Sequence, residues 1–293
     1  MIAYPTWKPT AAPHLMAGKS VGVVGLGQIG GSIVKRLSRY APRITVLGTD
    51  INSSIAKRVR RYCRWCVSLD EIVEQSDILV LAVHVPRILD LLPLVASKAS
   101  GRTRRSRLLV TDTGTIKNPV VQLARRHRTA FDFVGMHPLV GSHRPGWDGS
   151  HGNLVNGCTT IYCADRPTRS SRLIRELILL LGAKPLRMHA AEHDDYIGLT
   201  IGLPHLLAYS AQGLSRDLNV PPAVKGRSWA SLTRIAASDP AMVTGFLHTN
   251  ANAVASAAHQ LRRHLDRLVT ALKDPTGKKL EDLLRQWRRD PVG

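Results

Sequence analysis

The segment Phe133-Val134-Gly135-Met136-His137-Pro138-Leu139-Val140-Gly141 sets one histidine at the end of an apolar run, ahead of a proline and between glycines. A neutral imidazole accepts protons near pH 7, so His137 in that setting is a candidate general base. The plainer alternative is a structural histidine, and the rest of the chain has to decide. Upstream, Gly25-Leu26-Gly27-Gln28-Ile29-Gly30 matches G-x-G-x-x-G directly after a first apolar run. Gly25, Gly27 and Gly30 there serve a tight turn, close approach of backbone to a pyrophosphate, and helix-to-strand packing. Gln28 and Ile29 open the helix whose free N–H groups would face the phosphates. Asp50 lies 20 residues beyond Gly30, where an acid holds ribose hydroxyls and repels a 2′-phosphate. This pattern points to NAD rather than NADP. The alternative for Asp50 is a helix cap before Ile51-Asn52-Ser53.

These residues need a sheet to carry them. Apolar runs at 21–25, 44–48, 78–83, 108–111 and 133–135 read as buried parallel strands. Helical stretches at 29–39, 53–61, 87–97 and 116–126 alternate with them. The series predicts an α/β Rossmann-type, doubly wound parallel sheet. Ligands in such sheets sit beyond the carboxyl ends of the strands. That rule places Val83, at the end of its strand, against the cofactor, and Thr115 and His137 near its reactive end. Thr159–Cys163 and Lys184–Met188, around a helix at 169–181, extend this domain. After His189 the pattern is all-helical, with helices at 190–217, 221–237, 240–272 and 278–288. The expected organisation is an irregular extension at 1–18, an NAD-binding domain at 19–190 and an all-α domain at 191–293. The helical part carries more Ala, Leu and Ile than a small isolated domain needs, so a homodimer contact is expected there.

The chain has 293 residues, 44% of them hydrophobic, which is enough for a sizeable core. Its apolar runs are shorter than the ~20 residues of a membrane span. The first residues lack the basic start and continuous apolar stretch of a secretory signal, so a cytoplasmic enzyme is expected. Cys63 and Cys66 form C-x-x-C, while Cys158 and Cys163 are further apart. Reduced, partly buried thiols fit this better than a zinc site, and no metal is expected. The net charge is +20, yet its clusters at 102–107, 125–128 and 285–289 are dispersed and aromatics are only 5%. This argues against a nucleic-acid platform and fits steering of an anionic substrate and cofactor.

Six segments together carry a resemblance: GLGQIGGS at 25–32, DTGTIK at 112–117, GMHPLVG at 135–141, NLVNG at 153–157, HDDYIGLTIGLPH at 193–205 and LTRIAASDPAM at 232–242. In that order they resemble the prephenate/arogenate dehydrogenase family. The resemblance implies an NAD(P)-dependent oxidative decarboxylation that turns prephenate into 4-hydroxyphenylpyruvate. It implies that His137 takes the C4 hydroxyl proton, and that Thr115, where the family has serine, orients the imidazole and touches the nicotinamide. It implies that His205 and Arg234 bind substrate, Arg234 through a carboxylate. Read from the residues alone, Thr115 could cap a helix, His205 could be a core histidine and Arg234 a surface arginine. His193 reads as structural, and Asp194 and Asp195 as capping or ion-pairing groups.

The chain departs from the family pattern in two places. Ile201-Gly202 stands for a Ser-His pair, and Met242-Val243-Thr244-Gly245 for Met-Trp-x-Asp. The loop Gly141-Ser142-His143-Arg144-Pro145-Gly146 carries no acid, which disfavours the ammonium of arogenate and suits a keto acid. A 4-amino-4-deoxyprephenate dehydrogenase is a variant within the family. Outside it stand a β-hydroxyacid dehydrogenase, which needs an interdomain lysine where this chain offers His205, and a non-catalytic nucleotide- or nucleic-acid-binding protein. No appended regulatory domain is expected.

Overall fold

The computed structural model describes residues 14–104, 106–141 and 144–288. Ser142 and His143 of the acid-free loop therefore lie outside the described residues, as does most of the 1–18 extension. The chain divides into two compact units. The first runs to Ile197 and takes back Ala237–Thr249; the second holds Gly198–Ala236 and the chain from Asn250.

The first unit is built on a six-stranded, all-parallel sheet. Its elements are β1 (Ser20–Val24), α1 (Gln28–Tyr40), β2 (Thr45–Thr49), α2 (Ala56–Val59), β3 (Arg64–Trp65), α3 (Leu69–Gln75), β4 (Ile78–Leu81), α4 (Val85–Ser100), β5 (Leu109–Asp112), α5 (Asn118–Arg126) and β6 (Asp132–Phe133). The strand order is β3-β2-β1-β4-β5-β6, the doubly wound order, with its reversal between β1 and β4. Val24 pairs with both Thr49 and Leu81, and Leu81 with Asp112. The strand ends are thus level, and the segments after them share one edge. Val21, Val23, Leu79, Val80 and Val110 are wholly buried, because helices cover both faces of a parallel sheet.

β3 and α3 are additions to the expected series. The two residues of β3 are too few to show an apolar run. The start of α3 was visible as Ser68-Leu69-Asp70-Glu71: the Ser68 hydroxyl accepts the Glu71 N–H at 3.1 Å.

The expected strand at 133–135, with His137 beyond its end, resolves into two strands in two sheets. β6 closes the parallel sheet. The chain then enters β7 (Gly135–Pro138), which contains His137 and belongs to a second, three-stranded sheet. There β7 runs antiparallel to β8 (Thr159–Cys163), which pairs in parallel with β9 (Lys184–Met188). The physical reason lies at Asp112. Its carboxylate accepts the Met136 N–H at 3.3 Å, so a side chain takes a backbone donor that a seventh parallel strand would have used. The helix α6 (Arg169–Leu180) packs on this sheet, opened by a Thr168–Ser171 capping box.

α7 (Ala190–Ile197) and α10 (Pro240–Thr249) also belong to the first unit. The expected boundary at 190/191 is therefore displaced. α7 stays with the sheet because His193 and Asp194 reach β7 and α5, and α10 because it packs on α4, with Gly245 against Pro86.

The second unit is helical. A π-helical turn (Gly198–Gly202) leads into α8 (Leu203–Asp217), followed by α9 (Arg227–Thr233), a 3-10 turn (Arg234–Ala237), α11 (Ala251–Ala271) and α12 (Lys278–Trp287). The π turn lies close on α11: a Cβ on Gly198 would come 2.9 Å from the Ala253 Cβ. α12 clasps α11 through Trp287, which His264 meets edge-on and Arg267 covers. Among the described residues no helix is long and apolar enough to cross a membrane.

Candidate active site

The glycine-rich turn joins β1 to α1 at the switch point of the sheet, and each glycine has a separate physical reason. Gly25 has φ +89°, and a Cβ there would lie 2.6 Å from the Ala82 carbonyl oxygen. A Cβ on Gly30 would lie 1.9 Å from the Gly25 carbonyl oxygen, so only glycine lets α1 meet the turn. Gly27 differs: a Cβ there meets nothing within 4 Å. It is also the N-cap of α1 and has no side-chain cap. That is the open cradle a pyrophosphate needs, with N–H groups of α1 behind it. The residues present fit a dinucleotide.

Gln28 holds the Arg144 carbonyl at 2.7 Å through its side chain. Val83 packs under the turn, its Cγ1 being the atom nearest to a Cβ built on Gly25. Asp50 follows β2, with one oxygen on the Leu26 N–H at 2.6 Å and the other on the Asn52 N–H at 2.8 Å. The helix-cap alternative for Asp50 fails, because Asn52 caps the next turn through the Ser54 N–H. A carboxylate offers about four acceptor sites, so Asp50 keeps capacity for hydroxyl donors.

Around His137 the structure assembles groups from distant parts of the chain. Asp112, at the end of β5, and Lys117 form a fully buried ion pair. Lys117 Nζ also donates to the Met136 carbonyl at 3.1 Å, and Asp112 accepts the Gly114 N–H at 2.9 Å. β7 is thereby fastened to β5 one residue before His137. Gly135 has to be small, since a Cβ there would stand 3.1 Å from the Lys117 stem. Burial pushes the Asp112 carboxyl up, against the pull of Lys117 and the two backbone N–H groups.

His137 is 5% exposed. Its Nδ1 lies 3.0 Å from Nε2 of His193, whose Nδ1 lies 2.7 Å from an Asp194 oxygen. Asp194 in turn accepts the N–H groups of Lys117 and Asn118 at 2.8 and 2.7 Å, so it caps α5 from a helix 76 residues away. Burial, then His193 and Lys117, hold His137 well below the usual histidine range. Burial also lowers His193, although its bond to Asp194 opposes this. Both rings are neutral at pH 7 as a result. Thr115, half-buried after β5, makes no hydrogen bond to His137. The residue expected to orient the imidazole is thus replaced in that contact by His193. The spacing of His193-Asp194 gave no sign of it, because the partner ring stands on a strand 56 residues earlier.

His205 and Arg234 lie in the second unit. His205, half-buried in the first turn of α8, has its Nδ1 2.9 Å from the Ile201 carbonyl, so that nitrogen carries the proton. Arg234 is exposed at the head of its 3-10 turn. Of the departures from the family pattern, Ile201-Gly202 forms the end of the π turn, whereas Val243 and Gly245 sit on α10 in the first unit, Val243 buried. The cysteines are free; burial raises Cys63 and Cys163 to about 12 and Cys66 to about 11, so they stay thiols. Among the described residues no group of three His, Cys, Asp or Glu side chains could hold a metal ion.

Sheet order and glycine turn define a doubly wound domain of the dinucleotide-binding class. The family model described as prephenate dehydrogenase, nucleotide-binding domain, matches residues 33–186, and the one described as prephenate dehydrogenase, dimerization domain, matches 189–286. The chain belongs to the prephenate dehydrogenase family. It is 29% identical to prephenate dehydrogenase of Lactococcus lactis over 92% of this chain and 76% of that one. It is 26% identical to cyclohexadienyl dehydrogenase of Zymomonas mobilis over 92% and 94%. Among solved structures, prephenate dehydrogenase from A. aeolicus in complex with hydroxyphenyl propionate and NAD+ superposes with a TM-score of 0.80 at 25% identity, covering 92% of this chain and 95% of that one. Arogenate dehydrogenase of Synechocystis shares the fold, with a TM-score of 0.76 at 22% identity over 91% and 96%.

Proposed function

We propose that the chain is an NAD-dependent prephenate dehydrogenase that converts prephenate to 4-hydroxyphenylpyruvate and carbon dioxide. The observation that carries this reading is His137: buried, neutral and tied through Nδ1, which leaves Nε2 as the nitrogen for a substrate proton. The solved relative from A. aeolicus holds NAD+ and a phenolic acid, which is consistent with it. Asp50 and the Gly27 cradle support NAD as the cofactor. The chemistry that bound NAD supplies is acceptance of the hydride from C4.

His137 Nε2 accepts the C4 hydroxyl proton as that hydride departs, and C4 becomes a carbonyl carbon. The ring carboxylate then leaves as carbon dioxide, and its bonding pair makes the ring aromatic. The resulting phenolate takes the proton back from the imidazolium, so no net proton is consumed. His205 and Arg234 bind the anionic substrate in this reading, Arg234 through a carboxylate, and Thr115 lies against the nicotinamide. The acid-free loop at 141–146 favours the keto acid over arogenate. The helices of the second unit leave Leu214, Leu218, Leu265, Val269 and Leu272 exposed, and a homodimer through this dimerization domain would cover such a surface.

The test is NADH formation by the purified protein given NAD and, separately, prephenate, arogenate and 4-amino-4-deoxyprephenate. Turnover highest with prephenate is expected. His137→Asn should lose on the order of 10²–10⁴-fold in kcat, the range for a general base. Preference for either amine, or wild-type kcat in the variant, would overturn the assignment.

A further inference from the structure

Three side chains in the first unit form one continuous hydrogen-bonded line: His137 on β7, then His193 and Asp194 on α7. We propose that His193 and Asp194 are positioning residues that set the tautomer of His137, holding its proton on Nδ1 and keeping Nε2 as a lone pair for the substrate. This rests on the reading of His137 as the base.

The assignment follows from donors and acceptors with both rings neutral, as their burial favours. Asp194 is anchored as an acceptor, because its two oxygens take the N–H groups of Lys117 and Asn118 at the start of α5. That helix end also favours negative charge on it. Asp194 Oδ1 therefore accepts from His193 Nδ1–H at 2.7 Å. A neutral His193 then presents a bare Nε2 to His137, and the 3.0 Å contact is satisfied only if His137 Nδ1 carries the hydrogen. The reverse assignment faces the His193 Nδ1 lone pair against a carboxylate oxygen. The rings meet edge-on, 73° between planes and 5.2 Å between centroids, and His193 is wholly buried, so water does not compete for the contact. The other ionisable groups acting on the pair are Lys117 and Asp112, which form a buried ion pair with each other.

The line also has a place for the charge that forms. When Nε2 takes the C4 hydroxyl proton, the O–H bond breaks, an N–H bond forms, and His137 becomes an imidazolium. Its Nδ1–H already points at His193, with Asp194 behind it, so the positive charge arises along a path that ends on a carboxylate. In serine proteases an aspartate holds the catalytic histidine in its working tautomer, and its change to Asn costs about 10⁴-fold in kcat. Here a second imidazole is interposed between acid and base.

The experiment uses the whole chain with ¹⁵N-labelled histidine. Two-bond ¹H–¹⁵N correlation spectra at neutral pH distinguish a protonated ring nitrogen from a bare one. The His137 signals are identified by their loss in His137→Asn. The expected wild-type result is a protonated Nδ1 and a bare Nε2. In Asp194→Asn the amide can donate to His193 Nδ1, which reverses both rings and puts hydrogen on His137 Nε2. The His137 pattern should invert, and kcat should fall at least on the order of 10²-fold with KM for prephenate little changed. Asp194→Asn also removes part of the α5 cap, so His193→Phe and His193→Gln provide a second route. Phe should leave His137 a mixture of tautomers, whereas the Gln carbonyl can accept from Nδ1–H and restore the bare Nε2 with part of kcat. A wild-type His137 protonated at Nε2, or an unchanged His137 pattern in folded Asp194→Asn and His193→Phe, would overturn the proposal. The wild-type spectrum is independent of turnover: the expected tautomer without prephenate oxidation defeats the substrate reading alone, and turnover with the opposite tautomer defeats this proposal alone.

Discussion

The three glycines of the turn differ in what each would suffer from a methyl group, and this gives a residue-scale prediction. Gly30→Ala drives a Cβ into the Gly25 carbonyl and has no flexible neighbour to move aside. It should destabilise the protein by about 1–3 kcal/mol, the range for an overpacked site. Gly27→Ala meets nothing and has φ −70°, which any residue adopts. Its stability should remain within about 0.5 kcal/mol of wild type, while NAD binding weakens on the order of tenfold, about 1.4 kcal/mol. Thermal unfolding with and without NAD, and a titration of NAD into each variant, separate the two effects. An intact affinity in Gly27→Ala would remove this turn from the cofactor site. The turn was legible in the sequence because its requirements are local: glycine spacing, a preceding strand and a following helix are contiguous. Gly27 could not be told from Gly25 or Gly30 that way, since the neighbours that separate them include Ala82 and Val83, just past the end of β4.

At the scale of elements, the fastening of β7 to β5 is the feature that places His137. Lys117 is among the largest fully buried side chains in the chain. Its burial is not legible in the sequence, because a lysine in a polar segment is ordinarily solvent-facing. Lys117→Met should cost about 3–5 kcal/mol by leaving Asp112 buried without its partner. Lys117→Met combined with Asp112→Leu should recover part of that loss. Urea unfolding of the single and double variants measures both, and a single variant as stable as wild type would show that the pair contributes nothing to holding the strands. The second sheet was also hidden for a physical reason. Phe133 to Pro138 is one apolar run in sequence, and periodicity does not reveal that its first part pairs in parallel with β5 and its second antiparallel with β8. That switch depends on the Asp112 carboxylate claiming the Met136 N–H.

For the whole molecule, the buried histidines tie stability to pH. His137 and His193 are both held below the ordinary value of 6.5 in the folded protein, so the unfolded chain binds protons that the folded one refuses. Their contribution is fully present above about pH 6.5 and is lost as pH falls below it, at up to about 1.4 kcal/mol per pH unit for each group. Unfolding free energy measured from pH 7.5 to 5 should therefore decline, and His137→Asn should flatten the slope. Identical slopes in both proteins would contradict neutral burial of His137. The large positive charge also acquires a partly structural meaning. Arg102 and Arg104 bond the carbonyls of Ser76 and Gln75, and Arg104 pairs with Asp77, so these two arginines hold the segment that leads into β4. The sequence by itself determined the doubly wound domain, its glycine-rich turn and the succession of a helical unit, because each is written in spacing and periodicity along neighbouring residues. Only the tertiary structure decided that β7 leaves the first sheet, that α7 and α10 pack with it, and that His137 leans on His193 and Asp194. Those outcomes depend on which donors and acceptors meet once water is excluded, and the groups that bridge these elements are 24 or more residues apart in the chain.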